Sequence, residues 1–316
     1  MHSGKKTTPN YLLFIAHTSE QVKRQCIYAI YSLIKTNAWM LHDERMRFLI
    51  YTEDQTFFAD YFKHLHDWKD KIQFEILPQA TFVDFQMVPK GKNLHRAKLK
   101  VFQHFFSKYQ DSNLLYCDSD VYATEMIDQL VATVEQGHYV FHQNEGEILR
   151  PPNYGLKQVK AALEVSSLSH VFKLAPGICM YNAGIFWCCW KNRSVVDEAL
   201  RVCDDIFDVN QLYFAEQFAI SFAAQKSGRC VVAEREFIHY WYMKEFNEFI
   251  VSFLNRLKVS SSPDELLKSY QQLPLRAVPN FYRFKSIPYK IYRKWRSFLL
   301  GIGVTSKLYS FSNGRK

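Results

Sequence analysis

Apolar residues in this chain of 316 recur with two periods. Short runs bounded by polar and turn residues alternate with stretches whose apolar positions return every three or four residues, the signatures of buried strands and amphipathic helices. Residues 11–17 read as a first strand. Residues 19–35 follow as a helix, with Val22, Cys26, Ala29, Ile30, Leu33 and Ile34 at helical spacing, and Thr18 with Gln21 has the pattern of a capping box. Strands are expected at 47–52 and 72–77, with a Phe- and His-rich helix between them. Beyond the Pro89-Lys90-Gly91 turn, 94–108 reads as a helix leading into an apolar strand that ends at Asp118. Such alternation predicts an α/β fold, a mainly parallel sheet with helices on both faces.

The second half is less regular. A strand at 138–142 precedes a long polar stretch to about 172, and 178–189 is a largely apolar run that follows Pro176-Gly177. Helices are expected at 195–207 and 211–224, and short strands at 230–233 and 237–240. Ser262-Pro263-Asp264-Glu265 has the composition of a helix start. There is no internal repeat. The pattern suggests a catalytic body over 1–255 and a helical extension over 256–316.

Composition narrows the class. Hydrophobic residues at 48% and charged residues at 22% are those of a globular protein with an ample core. No apolar run approaches membrane-spanning length and the first ten residues are polar, so the expected location is cytoplasmic. Seven Cys residues, an odd number without a CxxC pair, read as small core residues in a reducing compartment. The net charge of +9 is unevenly spread: ten of the 40 Lys and Arg residues fall in 276–316, where no Asp or Glu occurs. The remaining 30 bases against 31 acids leave the first 275 residues at −1.

Chemistry concentrates at Leu114-Leu115-Tyr116-Cys117-Asp118-Ser119-Asp120. An apolar strand delivers two carboxylates to its carboxyl end, where open α/β sheets place their ligands. A turn there lets both acids face one site as a hard-cation pair suited to Mg²⁺ or Mn²⁺ carrying a diphosphate. Three more segments join it: Tyr181-Asn182-Ala183-Gly184-Ile185-Phe186, Phe214-Ala215-Glu216-Gln217-Phe218-Ala219, and Ile238-His239-Tyr240 with Lys244 behind.

In order and approximate spacing, over roughly residues 11–245, this set resembles the GT-A fold glycosyltransferases, above all family 8, which includes glycogenin and bacterial lipopolysaccharide galactosyltransferases. The resemblance implies a Rossmann-like, mixed but mainly parallel sheet and transfer of a sugar from a nucleotide diphosphate sugar, expected to be a UDP-sugar, with retention of configuration. It implies Asp118, Asp120 and His239 as ligands of Mn²⁺ or Mg²⁺, with Asp118 also near the ribose. Asn182, Glu216 and Gln217 would meet the sugar, Ala183 and Gly184 would let substrate approach the backbone, and Lys244 would hold the diphosphate. Arg96 and Lys98 are candidates for donor phosphate or sugar contacts, and Thr18 and Ser19 for the nucleotide. The chain departs from the family in having Glu216 for Asp, and in lacking a Gly between His239 and Lys244, which stand one residue closer. On the residues alone, two other readings stay open: a haloacid dehalogenase type phosphatase, although Tyr122 stands where those enzymes carry Thr or Val, and a non-catalytic nucleotide- or glycan-binding protein.

The basic tail suits a surface rather than a core. Ile291, Tyr292, Trp295, Phe298 and Leu299 share one helical face, with Lys290, Arg293, Lys294 and Arg296 around it. That pattern fits an anionic membrane, at about 1 kcal/mol per basic side chain near the surface, and implies a glycan or lipid-linked glycan acceptor there. No nucleic acid partner is expected. Deletion of residues 286–316 is expected to release the protein from anionic liposomes in cosedimentation; unchanged pelleting contradicts membrane attachment.

Overall fold

The computed structural model describes residues 8–88, 90–165, 175–241 and 246–259. The first half alternates as expected through β1 (Asn10–Ile15), α1 (Glu20–Thr36), β2 (Met46–Thr52), α2 (Thr56–Phe62) and β3 (Ile72–Ile76), and then adds a short helix that was not expected, α3 (Gln79–Asp84). A small hairpin of β4 (Met87–Val88) and β5 (Gly91–Lys92) leads into α4 (Arg96–Lys108) and β6 (Asn113–Cys117). Then come β7 (Val121–Ala123), α5 (Asp128–Glu135), β8 (Tyr139–Phe141), β9 (Asn144–Glu147) and α6 (Tyr154–Leu163). The chain continues through β10 (Cys179–Tyr181), β11 (Ile185–Cys188), α7 (Ser194–Asn210), α8 (Ala215–Ser227), β12 (Cys230–Val232), β13 (Phe237–His239) and α9 (Phe246–Val259).

Seven strands form the central sheet in the order β12-β8-β11-β6-β1-β2-β3. All neighbours are parallel except β11, which runs antiparallel between β6 and β8. The mainly parallel α/β sheet predicted from the alternation is therefore present, with one reversed strand. Strand alternation sorts the core into two layers. Leu12, Phe14, Phe48, Ile50, Leu115 and Cys117 pack with α1 and α9, while Leu13, Leu49, Tyr51, Leu114 and Tyr116 pack with α4, α7 and α8. Asp118, next after Cys117, falls in phase with Leu114 and Tyr116 and so lies on the α4 side.

Several expectations need correction. The capping box at α1 does not form: Thr18 adopts φ +69° and its hydroxyl donates to the carbonyl of its neighbour His17. Ser19 occupies the N-cap without a side-chain bond. The turn out of β1 uses Thr18 for its own geometry, which removes it from capping. The polar stretch after β8 contains β9 and α6, where Asn153 caps the helix by accepting from the Leu156 amide at 3.0 Å and Leu156, Val159 and Leu163 are buried. With Ala162 these are four buried positions, too few beside the charged and polar neighbours for the helix to stand out in the sequence. The apolar run at 178–189 is two strands. The ladder to β9 and β8 continues past Asn182, which exchanges backbone bonds with Gln143 and His142, but it shifts register and is broken by a turn at Ala183–Gly184. Helix α9 was not anticipated; Phe246, Phe249 and Phe253 set their rings edge-on to Tyr28 of α1. The boundary expected at 255 falls within it, and the Ser262 helix and the tail lie outside the described residues.

All seven Cys residues are free. None of the described helices is long and apolar enough to cross a membrane.

A two-stranded ribbon outside the main sheet carries a histidine toward the end of β6. β7 pairs antiparallel with β13, placing Val121 opposite His239. Buried Ser32 of α1 docks this ribbon by accepting from the Ala123 amide at 2.9 Å while donating to the Ala29 carbonyl at 2.6 Å. Ser32→Ala leaves the Ala123 N–H unpaired in the core and is expected to cost about 1–3 kcal/mol in urea denaturation. A midpoint equal to wild type contradicts this docking role.

Candidate active site

The site is built where β6 stops. All five residues of β6 are buried, so the strand is held rigidly between β1 and β11. Beyond Cys117 the Asp118 amide donates to the Gly184 carbonyl at 2.7 Å, the last rung between β6 and the incoming β11. The chain then turns, with the Val121 amide donating to the Asp118 carbonyl at 3.3 Å. This turn brings Asp120 round to the same side as Asp118 despite strand alternation.

The ribbon supplies the third group. The Tyr240 amide donates to the Asp120 carbonyl at 3.0 Å, locking the end of β13 against the turn. His239 Nε2 then lies 3.0 Å from Asp120 Oδ1 and 3.9 Å from Asp118 Oδ2. One ligand atom from each of the three residues lies within 4.8 Å of the others. Residues 119 positions apart in sequence thus meet at one point.

Lys98, on α4, reaches into this cluster. Its ammonium is 3.3 Å from Asp118 Oδ1, 3.5 Å from Glu216 Oε1 and 3.3 Å from the Ala183 carbonyl, over the face of the Tyr116 ring. The Tyr116 hydroxyl donates to Asp118. Burial pushes the Asp118 carboxyl up, but the Lys98 ammonium and the His239 ring outweigh it and hold Asp118 below the usual carboxylate range. Glu216, on the first turn of α8 and 4% exposed, goes the other way: burial raises its carboxyl beyond what Lys98 recovers, and Asp118 repulsion adds to the rise. Burial also opposes the charged form of His239, yet its bond to Asp120 and the two nearby carboxylates raise it above an ordinary imidazole. His142 packs edge-on against His239 at 5.5 Å and is lowered by burial, and by His239, to about 4. His142 is therefore neutral at neutral pH.

Asn182 is 6% exposed and its amide is engaged on both sides. Oδ1 accepts from the Gly184 amide at 3.0 Å and faces His239 Nδ1 at 3.0 Å, while Nδ2 donates to Glu145 Oε1 at 2.9 Å. The other Glu145 oxygen accepts from Gln217 Nε2 at 3.0 Å. Gly184 makes room for this contact: a Cβ there would lie 2.6 Å from His239 Nδ1. The imidazole occupies the place a Cβ would take, while Gly184 still lines the cavity.

Of the residues singled out in the sequence, Asp118, Asp120, His239, Asn182, Gly184, Lys98, Glu216 and Gln217 line one cavity of about 260 Å³. Ala183 is buried beneath it and contributes its carbonyl to Lys98. Arg96 is directed elsewhere, with its guanidinium forked onto Asp204 at 2.7 and 3.0 Å and bonded to the Phe85 carbonyl. Thr18 and Ser19 stand past the end of β1 beside Glu53, outside the cavity lining. Lys244 lies outside the described residues. The wall also contains Glu145, His95, Tyr213 and Trp241, none of which belonged to a motif. Glu145 had a usable signal, being an acid shortly past the apolar strand at β8, as Asp118 is past β6. A larger hollow of about 1140 Å³ opens at the amino ends of β1 and β6, but Arg45 there is already paired with Asp43 and Glu135. The chemistry is concentrated in the smaller cavity.

Gly184→Ala is expected to push His239 away from Asp120 and to destabilise the fold by about 1–3 kcal/mol through overpacking. Urea denaturation and the histidine ring signals in NMR check this; unchanged ring signals contradict the contact.

No protein-family model and no curated protein matches this chain. Solved structures do. The galactosyltransferase LgtC in complex with donor and acceptor sugar analogs is 14% identical, over 71% of this chain and 73% of that one, with a TM-score of 0.43. Mouse xyloside xylosyltransferase 1 is 12% identical over 76% and 92%, with a TM-score of 0.46. Core-mannan synthase A from Aspergillus fumigatus, in its Mn/GDP form, is 11% identical over 75% and 76%, with a TM-score of 0.45. At these values the likeness extends to the general layout of sheet and helices and carries no argument about substrate or residue roles, which rest on the geometry of the cavity.

Proposed function

We propose that this chain is a metal-dependent glycosyltransferase that moves a sugar from a nucleotide diphosphate sugar, a UDP-sugar by the family resemblance, to a hydroxyl of a glycan or lipid-linked glycan. The observation that carries the reading is the convergence of Asp118, Asp120 and His239 on one point beside Lys98 and the paired amides. Two carboxylates and one imidazole nitrogen are a donor set that fits Mn²⁺, and Mg²⁺ less closely. The fit is physical as well as compositional: His239 Nδ1 faces Asn182 Oδ1, so Nε2 is the nitrogen aimed at both acids. When bound, the ion supplies Lewis-acid stabilisation of the charge that develops on the departing diphosphate.

The chain's own residues do the rest. Lys98 keeps Asp118 ionised inside a largely buried site. Glu216, in the cavity wall with Oε1 3.5 Å from the Lys98 ammonium, is the acid that would meet the donor hydroxyls. Gln217, with Nε2 given to Glu145, keeps its carbonyl oxygen for the sugar, which it would meet near the anomeric centre as the family resemblance implies. Tyr213 and Trp241, both largely exposed, stand in the cavity wall. The basic, aromatic stretch at 286–316 supports placement of the reaction at an anionic membrane surface on the cytoplasmic side.

Asp120→Ala is expected to lower Mn²⁺-dependent release of UDP from UDP-sugars by at least about a hundredfold, at the upper end of what disturbing even a ligand's outer partner costs. EDTA is expected to do the same to wild type, and circular dichroism should show an intact fold in both. Full activity of Asp120→Ala contradicts the proposal. Turnover of p-nitrophenyl phosphate in place of UDP-sugars would indicate the phosphatase, and Mn²⁺-dependent UDP binding without turnover a binding protein.

A further inference from the structure

Glu145 belongs to no motif and has no role in the proposed transfer, yet its carboxylate joins the two amides of the site. Oε1 accepts from Asn182 at 2.9 Å and Oε2 from Gln217 at 3.0 Å. A carboxylate offers only acceptors, so both amides must turn their nitrogens toward it. With Nδ2 of Asn182 committed to Glu145, its Oδ1 faces the Gly184 amide and His239 Nδ1, each at 3.0 Å. A carbonyl oxygen cannot donate, so Nδ1 must carry the hydrogen. The remaining ring nitrogen, Nε2, is the one that points at Asp120.

We propose that Glu145 is a positioning residue: acting through Asn182, it selects the His239 tautomer that presents a bare Nε2 to a divalent ion, and with its second oxygen it sets the orientation of Gln217. The inference rests on the metal reading under Proposed function and adds a residue three links from the ion. Outer partners of this kind orient a ligating imidazole and raise its basicity. Here the carboxylate acts through an intervening amide instead of touching the ring.

A glutamine at 145 has one acceptor oxygen for two amide nitrogens. One amide must then lose its partner and is free to flip. A flipped Asn182 would turn Nδ2 toward Nδ1 and favour the opposite tautomer, with the hydrogen on Nε2 where the ion belongs. Aspartate at 145 keeps two acceptor oxygens on a shorter stem.

The test is titration of the full chain with Mn²⁺ alone, with free Mn²⁺ read by electron paramagnetic resonance. Glu145→Gln is expected to raise the Mn²⁺ Kd by about 10- to 100-fold. Glu145→Asp should recover much of the affinity, Asn182→Ala should reproduce the loss, and Gln217→Ala should leave affinity unchanged. A purely structural role would lower the melting temperature of Glu145→Gln without this ordering of Mn²⁺ affinities. Wild-type affinity in Glu145→Gln overturns the proposal; should that variant not fold, undiminished affinity in Asn182→Ala does so. No Mn²⁺ binding by wild type would overturn the metal reading itself, whereas normal wild-type binding with an indifferent Glu145→Gln overturns only the role of Glu145.

Discussion

Lys98 sits among Asp118, Glu216 and the Ala183 carbonyl, largely out of water, and the charge balance of the site depends on it. Carboxylates gathered at the end of a buried strand repel one another, and the low dielectric magnifies that repulsion. One ammonium placed between two of them, with a raised imidazole against the third, makes the cluster tolerable. Breaking such a pair from one side costs about 3–5 kcal/mol, because the surviving charge is left without a partner. The same arrangement separates the acids chemically. Asp118, next to Lys98 and His239, is held as carboxylate, while Glu216, more deeply buried, is pushed toward its neutral form.

The backbone makes this possible through one reversal. β11 is the single antiparallel strand of the main sheet, and the turn at Asn182–Gly184 that feeds it lies directly against the end of β6. That turn supplies the rung to the Asp118 amide, the carbonyl that receives Lys98, the bare Cα that admits His239, and the amide linked to Glu145. The β7–β13 ribbon, docked on Ser32, closes the cluster from the other side. A small error in either element would move His239 relative to two acids fixed on β6.

The alternation of the first half, the strand ends and the acids at Asp118 and Asp120 were all legible because they derive from local periodicity. Those runs are long, strongly apolar and separated by clear turns. The elements that escaped reading had weak local signals. Helix α6 buries Leu156, Val159 and Leu163 in an otherwise polar stretch, and α9 is held by rings from α1 more than by any start signal of its own. Arg96 and Lys98 were indistinguishable by pattern, two bases on one helix separated by one residue. Packing sends Arg96 to Asp204 and Lys98 into the site, a difference of helical phase relative to neighbours that no spacing rule contains.

The amino-acid sequence by itself determined the class of the fold, the strand that carries the two acids and the small set of residue types from which a site of this kind is made. These depend on period, turn chemistry and composition, which are properties of neighbouring residues. The tertiary structure alone decided that Gly184 yields its space to an imidazole, that Glu145 holds both amides, and that Lys98 is the buried base. Each of those depends on contacts between segments far apart in the chain, where distance and direction in space, and not order along the backbone, set which charge meets which.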